Sequence, residues 1–97
     1  MPTEPVDLGG GNTVTVRKLS FGEHQQALSL STLPGGALDN VRYALEVAKR
    51  AVVAWQGDGF EGKDANAANV AALPTEIGAK IANAALELLN VGPDEGE

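Results

Sequence analysis

Thr13 to Lys18 alternates without a break, with Val14 and Val16 on one face and Thr13, Thr15 and Arg17 on the other. A period of two carried by β-branched residues is the pattern of a strand with one buried face. Val6 to Leu8 is a shorter extended stretch, and Gly9-Gly10-Gly11-Asn12 links the two, so the pair reads as a small β-hairpin. Two strands alone are barely stable in water, which obliges the Val14/Val16 face to lie on helices or on another molecule. The rest of the chain must therefore supply a cover. Residues 1–5, with two prolines, read as a frayed start.

The cover reads as helical. Ser20-Phe21-Gly22-Glu23 is a capping box, in which the Ser20 hydroxyl and the Glu23 carboxylate each accept from the other's backbone donor. The helix it opens runs over 21–30 and is stopped by Leu33-Pro34-Gly35-Gly36. Asp39 then caps a second helix over 40–55. Val41, Ala44/Leu45, Ala48, Val52 and Trp55 recur along it at helical spacing as the buried stripe. Arg42, Glu46 and Arg50, four apart, alternate in charge on the opposite side. Gln56 to Lys63 is a glycine-punctuated loop, and Asp64 or Asn66 caps a short helical turn through Val70. Pro74 suits the first turn of a last helix over 75–90, where its missing donor costs nothing. Ile77, Ile81, Ala84/Ala85 and Leu88 form its stripe, widened by Leu86 and Leu89.

These elements predict a mainly α fold: a small helical domain of three to four helices with an N-terminal β-hairpin. The chain divides into an arm and first hairpin strand at 1–12, a single mainly helical domain at 13–91, and a disordered acidic tail at 92–97. With 97 residues, one thin core is what such a chain can build. Only Phe21, Tyr43, Trp55 and Phe60 are aromatic, so the core must be filled by aliphatic residues and many alanines. Such packing leaves a monomer marginally stable, and association with itself or a partner would relieve that.

Composition also removes function classes. The net charge is −6, and the densest basic pairs are Arg17-Lys18 and Lys49-Arg50. Binding phosphates needs a basic face, so nucleic acid is not the expected partner. With no cysteine there is neither a disulfide framework nor a thiolate site. The N-terminus lacks a signal-peptide pattern, no run reaches a membrane-spanning length, and a cytosolic protein is expected.

No catalytic set emerges either. Gly57-Asp58-Gly59-Phe60-Glu61-Gly62 matches the dinucleotide spacing, but a helix is expected before it, and Asp58 and Glu61 would repel phosphate. A calcium loop starting at Asp58 would need oxygen ligands where Phe60 and Gly62 stand. His24, the single histidine, falls in a first helical turn beside Glu23, where a capping and solvent role is the expectation. Metal centres need more His or Cys than this chain holds. A binding protein with no catalysis, no metal and no cofactor is the reading that remains. Trp55 and Phe60 flank the glycine loop; they either close the core together or present an aromatic anchor to a partner.

The order of features resembles the tail assembly chaperones of long-tailed bacteriophages. It runs Thr13-Val-Thr-Val-Arg-Lys-Leu-Ser-Phe-Gly-Glu, then Ala51-Val52-Val53-Ala54-Trp55, then a loop with Gly57, Phe60 and Gly62. Asn69-Val70, Leu73-Pro74, Glu76-Ile77 and a closing Leu86-Glu-Leu-Leu-Asn90 complete it, over residues 13–90. The resemblance implies a helical protein made in the infected bacterial cytoplasm and absent from the mature virion. Its partners would be the tape-measure protein, which it keeps soluble, and the tail-tube protein that assembles around it. Many members exist as a short form and a frameshifted longer one, and the tail after Asn90 lies where such an extension begins. The family has no catalytic residues to carry over, and Trp55, Leu73 and Pro74 correspond to structural markers.

Tape-measure chains expose long apolar helical stripes, and the stripes over 41–55 and 77–89 are wider than a three-helix core consumes. The surplus is therefore expected to serve the client or a second copy. Val52, Trp55, Phe60, Ile77, Ile81 and Leu88 are the candidate partner-binding residues. Two other classes fit the same residues: a structural protein of the tail or head–tail connector, and a small acidic bacterial adaptor of antitoxin type.

Overall fold

Val14 and Val16 are both 0% exposed, so the hairpin's apolar face is covered. A computed structural model describes residues 3–89. Strand β1 (Thr3–Gly9) pairs antiparallel with β2 (Asn12–Arg17), Val6 lying opposite Val14. Helices α1 (Phe21–Ser31) and α2 (Asn40–Ala51) follow, and the chain then forms β3 (Val52–Gln56) on the far side of β2. A 3-10 turn at Asp58–Phe60, a short α3 (Ala67–Ala71) and a long α4 (Thr75–Leu89) complete the chain. The expected acidic tail at 92–97 lies outside the described residues.

The mainly α reading is corrected here: the fold is α/β, and the described residues form four helices on a three-stranded antiparallel sheet, with 23% of them in strands. The departure begins at Val52. Helical spacing of apolar residues continues to Trp55, yet the helix closes at Ala51, where the Val52 N–H still bonds to the Ala48 carbonyl while Val52 itself turns extended. From there Val14 pairs with Trp55, Thr15 with Ala54 and Val16 with Val52. A helix carried to Trp55 would leave the second edge of β2 unpaired. The β-branched Val52-Val53 pair lowers the local cost of extension, and the ladder decides it. Residues 3–5 are not frayed either: Thr3, Glu4 and Pro5 pair with Arg17, Val16 and Thr15.

The helix starts follow their caps. Ser20 and Glu23 make both bonds of the capping box, Asp39 accepts from Arg42 N–H, and Asn66 accepts from Asn69 N–H. Gly35 and Gly36 (φ +97° and +95°) turn the chain between α1 and α2, where a side chain would be strained. In the core, Leu8, Val14, Val16 and Leu19 from the sheet side meet Val47, Ala48 and Ala51 of α2 and Ile81, Ala82, Ala85 and Leu88 of α4. Helix α2 lies between α1 and α4, and α4 backs the sheet. Every buried side-chain nitrogen or oxygen among the described residues has a hydrogen-bond partner.

A candidate docking groove between α2, α3 and α4

The buried face of α2 is rotated from the one its stripe suggested. Glu46, Val47, Ala48 and Ala51 point inward, whereas Val41 is 73% exposed and Ala44 and Leu45 are only partly covered. The displaced part of the stripe walls a groove. Val41, Ala44 and Leu45 form one side, Leu73 and Pro74 the other, with Ala48 and Gly78 between them. Its volume is about 350 Å³, it opens to solvent, and its walls are overwhelmingly apolar. Width comes from small residues: Gly78 has no side chain, and a Cβ placed there would meet nothing within 4 Å. The sequence held the signal for this groove in the excess of its apolar stripe, but not which part of the stripe would be left over.

The six candidate partner-binding residues are not brought together. Ile81 (0% exposed) and Leu88 (6%) are core residues, and Val52, Trp55 and Ile77 are half-buried against the core. Phe60 is buried and stacks on Trp55, with ring centroids 4.3 Å apart and planes within 7° of parallel. The Trp55 indole N–H donates to the Lys63 carbonyl at 2.7 Å, which folds the glycine loop back over the ring. The pair thus closes one corner of the core.

The glycine motif at 57–62 is preceded by strand β3, not by the expected helix. No helix opens at its end, however: the motif itself holds a 3-10 turn, and an open stretch separates it from α3. Its glycines serve the hairpin instead, since Gly57 (φ +130°) and Gly59 pass directly against Asn12. The groups that hold a pyrophosphate in such motifs are not assembled.

Polar chemistry is concentrated in ion pairs. Glu46 is almost wholly buried, not on an open charged face, and its carboxylate meets Arg50 at 2.6 Å, Arg42 at 3.1 Å and Lys49 at 3.6 Å. Burial pushes its carboxyl up, but hydrogen bonds from Arg50 and Arg42 and the charges of Lys49 and Arg50 outweigh this and hold it below the usual range. Arg17 grips Glu23 with both terminal guanidinium nitrogens, at 2.8 and 2.5 Å. That hydrogen-bonded pair, with the Ser20 backbone N–H, brings the Glu23 carboxyl down to about 2. His24 is not simply solvated: its Nε2 lies 2.6 Å from the Tyr43 hydroxyl, joining α1 to α2. Burial raises the Tyr43 phenol above its ordinary value.

Among the described residues no group of three His, Asp or Glu is placed to hold a metal ion, and no helix is long and apolar enough to cross a membrane. Comparison with known proteins finds no matching family model, no similar curated protein and no similar solved structure.

Proposed function

We propose that this protein is a non-catalytic chaperone of phage tail assembly that holds an apolar helical stretch of the tape-measure protein in the α2–α3–α4 groove. The groove itself carries the reading. An open trough of about 350 Å³ between two helices accepts apolar side chains from one or two turns of an amphipathic helix. A client with long apolar helical stripes offers such turns repeatedly, and many small binders along it would keep it soluble until tail-tube subunits enclose it. The net charge of −6 suits that role, because it keeps a chain decorated with many copies dispersed. The resemblance over residues 13–90 supplies the identity of the client.

Co-expression with the tape-measure protein tests the proposal. The wild-type chain is expected to co-purify with its client and to raise the soluble fraction. Gly78→Phe, which fills the groove from a position with free space, is expected to abolish capture while circular dichroism stays native. Failure of the wild-type chain to capture any client removes the chaperone reading. Equal capture by both chains removes the groove as its site. Mass spectrometry of purified particles separates a chaperone, absent from them, from a structural subunit.

A further inference from the structure

The two edges of the sheet are treated differently. Along β1 stand Glu4, Pro5 and Asp7; a proline has no N–H to offer a neighbouring strand, and charges discourage one. Along β3 stand Val52, Val53, Ala54, Trp55 and Gln56, with neither charge nor proline. Among the described residues β3 is outermost in the sheet, with β2 on one side and no strand on the other. A bulge opposite Val16 leaves Val53 outside the regular pairing, and its side chain is 50% exposed. Ala54 and Gln56 beside it are exposed as well.

We infer that the free edge of β3 pairs with β3 of a second copy, antiparallel about a two-fold axis, fusing two three-stranded sheets into one of six strands. Charge names the occupant. Lys49 and Arg50 stand in the last turn of α2, just before β3, and belong to a cluster of three cations around the Glu46 carboxylate, so that end is positive. Asp58, Glu61 and Asp64 follow β3 with Lys63 as the single cation among them, so the other end is negative. An antiparallel copy sets the positive end of each strand beside the negative end of its partner, and does so twice. A parallel neighbour would instead align like charges.

Ala54 is the middle residue of β3, and a two-fold axis there pairs the two strands over their whole length. Val53 of each copy then faces Trp55 of the other, a β-branched residue against an aromatic one, which is a favourable cross-strand pair. Five residues a side make a small interface, so the dimer is concentration-dependent rather than obligate. The groove on α2, α3 and α4 is not consumed by it, and the inference stands apart from the proposed client.

Because the chain has no cysteine, Ala54→Cys can form only an intermolecular disulfide. Residues facing each other across an antiparallel ladder lie within disulfide reach. Mild oxidation is expected to convert Ala54→Cys to a covalent species of twice 10.0 kDa. Gln56→Cys, whose position faces Val52 of the partner rather than itself, is expected to stay uncrosslinked. Sedimentation equilibrium is expected to show a reversible wild-type dimer, weakened by salt, and weakened roughly tenfold or more by Val53→Lys. A wild-type chain that sediments as a monomer throughout the concentration series overturns the inference. So does equal crosslinking of the two cysteine variants, or a natively folded Val53→Lys variant that dimerises unchanged. Pairing of β3 with the tape-measure chain instead would appear as β3 amide protection only in that complex, and would also overturn it.

Discussion

Asn12 and Gly59 are 47 positions apart, yet the Asn12 side-chain oxygen accepts a hydrogen bond from the Gly59 N–H at 2.8 Å. The same side chain donates to the Gly9 carbonyl at 3.1 Å, so one residue closes the hairpin turn and pins it to the loop after β3. Gly57 makes the approach possible, because a Cβ there would stand 2.7 Å from the Asn12 Cα.

Loss of that closure has a graded cost. Gly57→Ala combines a backbone clash with a φ of +130° that side chains rarely adopt, and is expected to cost about 2–3 kcal/mol. Asn12→Ala removes two hydrogen bonds at the surface and should cost about 1–2 kcal/mol. Urea unfolding midpoints check both, and an Asn12→Ala loss exceeding that of Gly57→Ala would contradict the ordering.

Acid weakens the Arg17–Glu23 pair over a defined window. The folded Glu23 carboxyl sits at about 2 against an ordinary 4.5, so its contribution is complete above pH 4.5 and is lost as pH falls through about 2. Both side chains are a quarter to a third exposed (24% and 31%), so screening reduces the contribution to about 1 kcal/mol. Glu23→Gln should flatten stability across that window relative to wild type. Some slope will remain, because the lowered Glu46 carboxyl acts in the same direction.

Glu46 is ion-paired with three cations at once. Glu46→Ala leaves Arg42, Lys49 and Arg50 facing one another and is expected to cost about 2–3 kcal/mol. Repulsion among cations is screened by salt, so added salt should recover part of the melting temperature in Glu46→Ala but not in wild type. A salt-insensitive deficit would assign the loss to packing instead.

Trp55 is the only tryptophan, which makes its fluorescence a direct reporter of the corner it closes. Phe60→Ala removes a buried ring stacked on it and is expected to cost about 3–4 kcal/mol. Emission of the folded variant should shift to the red as water reaches the indole. Unchanged emission would show that Phe60 does not shield the indole from water.

Features specified by a few neighbouring residues were legible in the sequence. The hairpin, the caps at Ser20 and Asp39, the third cap as one of Asp64 or Asn66, and the last helix after Pro74 each rest on contacts within a few positions. Strand β3 was not legible, because its stability comes from pairing with β2, more than thirty positions earlier in the chain. The sequence still carried a clue: a two-stranded hairpin needs support, and Val52-Val53 is a poor place to continue a helix. The groove was legible only as a surplus. Spacing alone placed Val41 and Val52 on one stripe, and ending the helix at Ala51 changed which residues the core could use. Burial of Glu46 was hidden for the same reason, since a four-residue charge spacing looks alike on an open face and a covered one.

The passage from α2 to β3 occurs between Ala51 and Val52 with no intervening turn. Groove wall and sheet margin are consecutive stretches of backbone, Val41 to Ala51 on the helix and Val52 to Gln56 on the strand. Whatever lodges against the helix therefore sits on the same continuous segment as the outer strand.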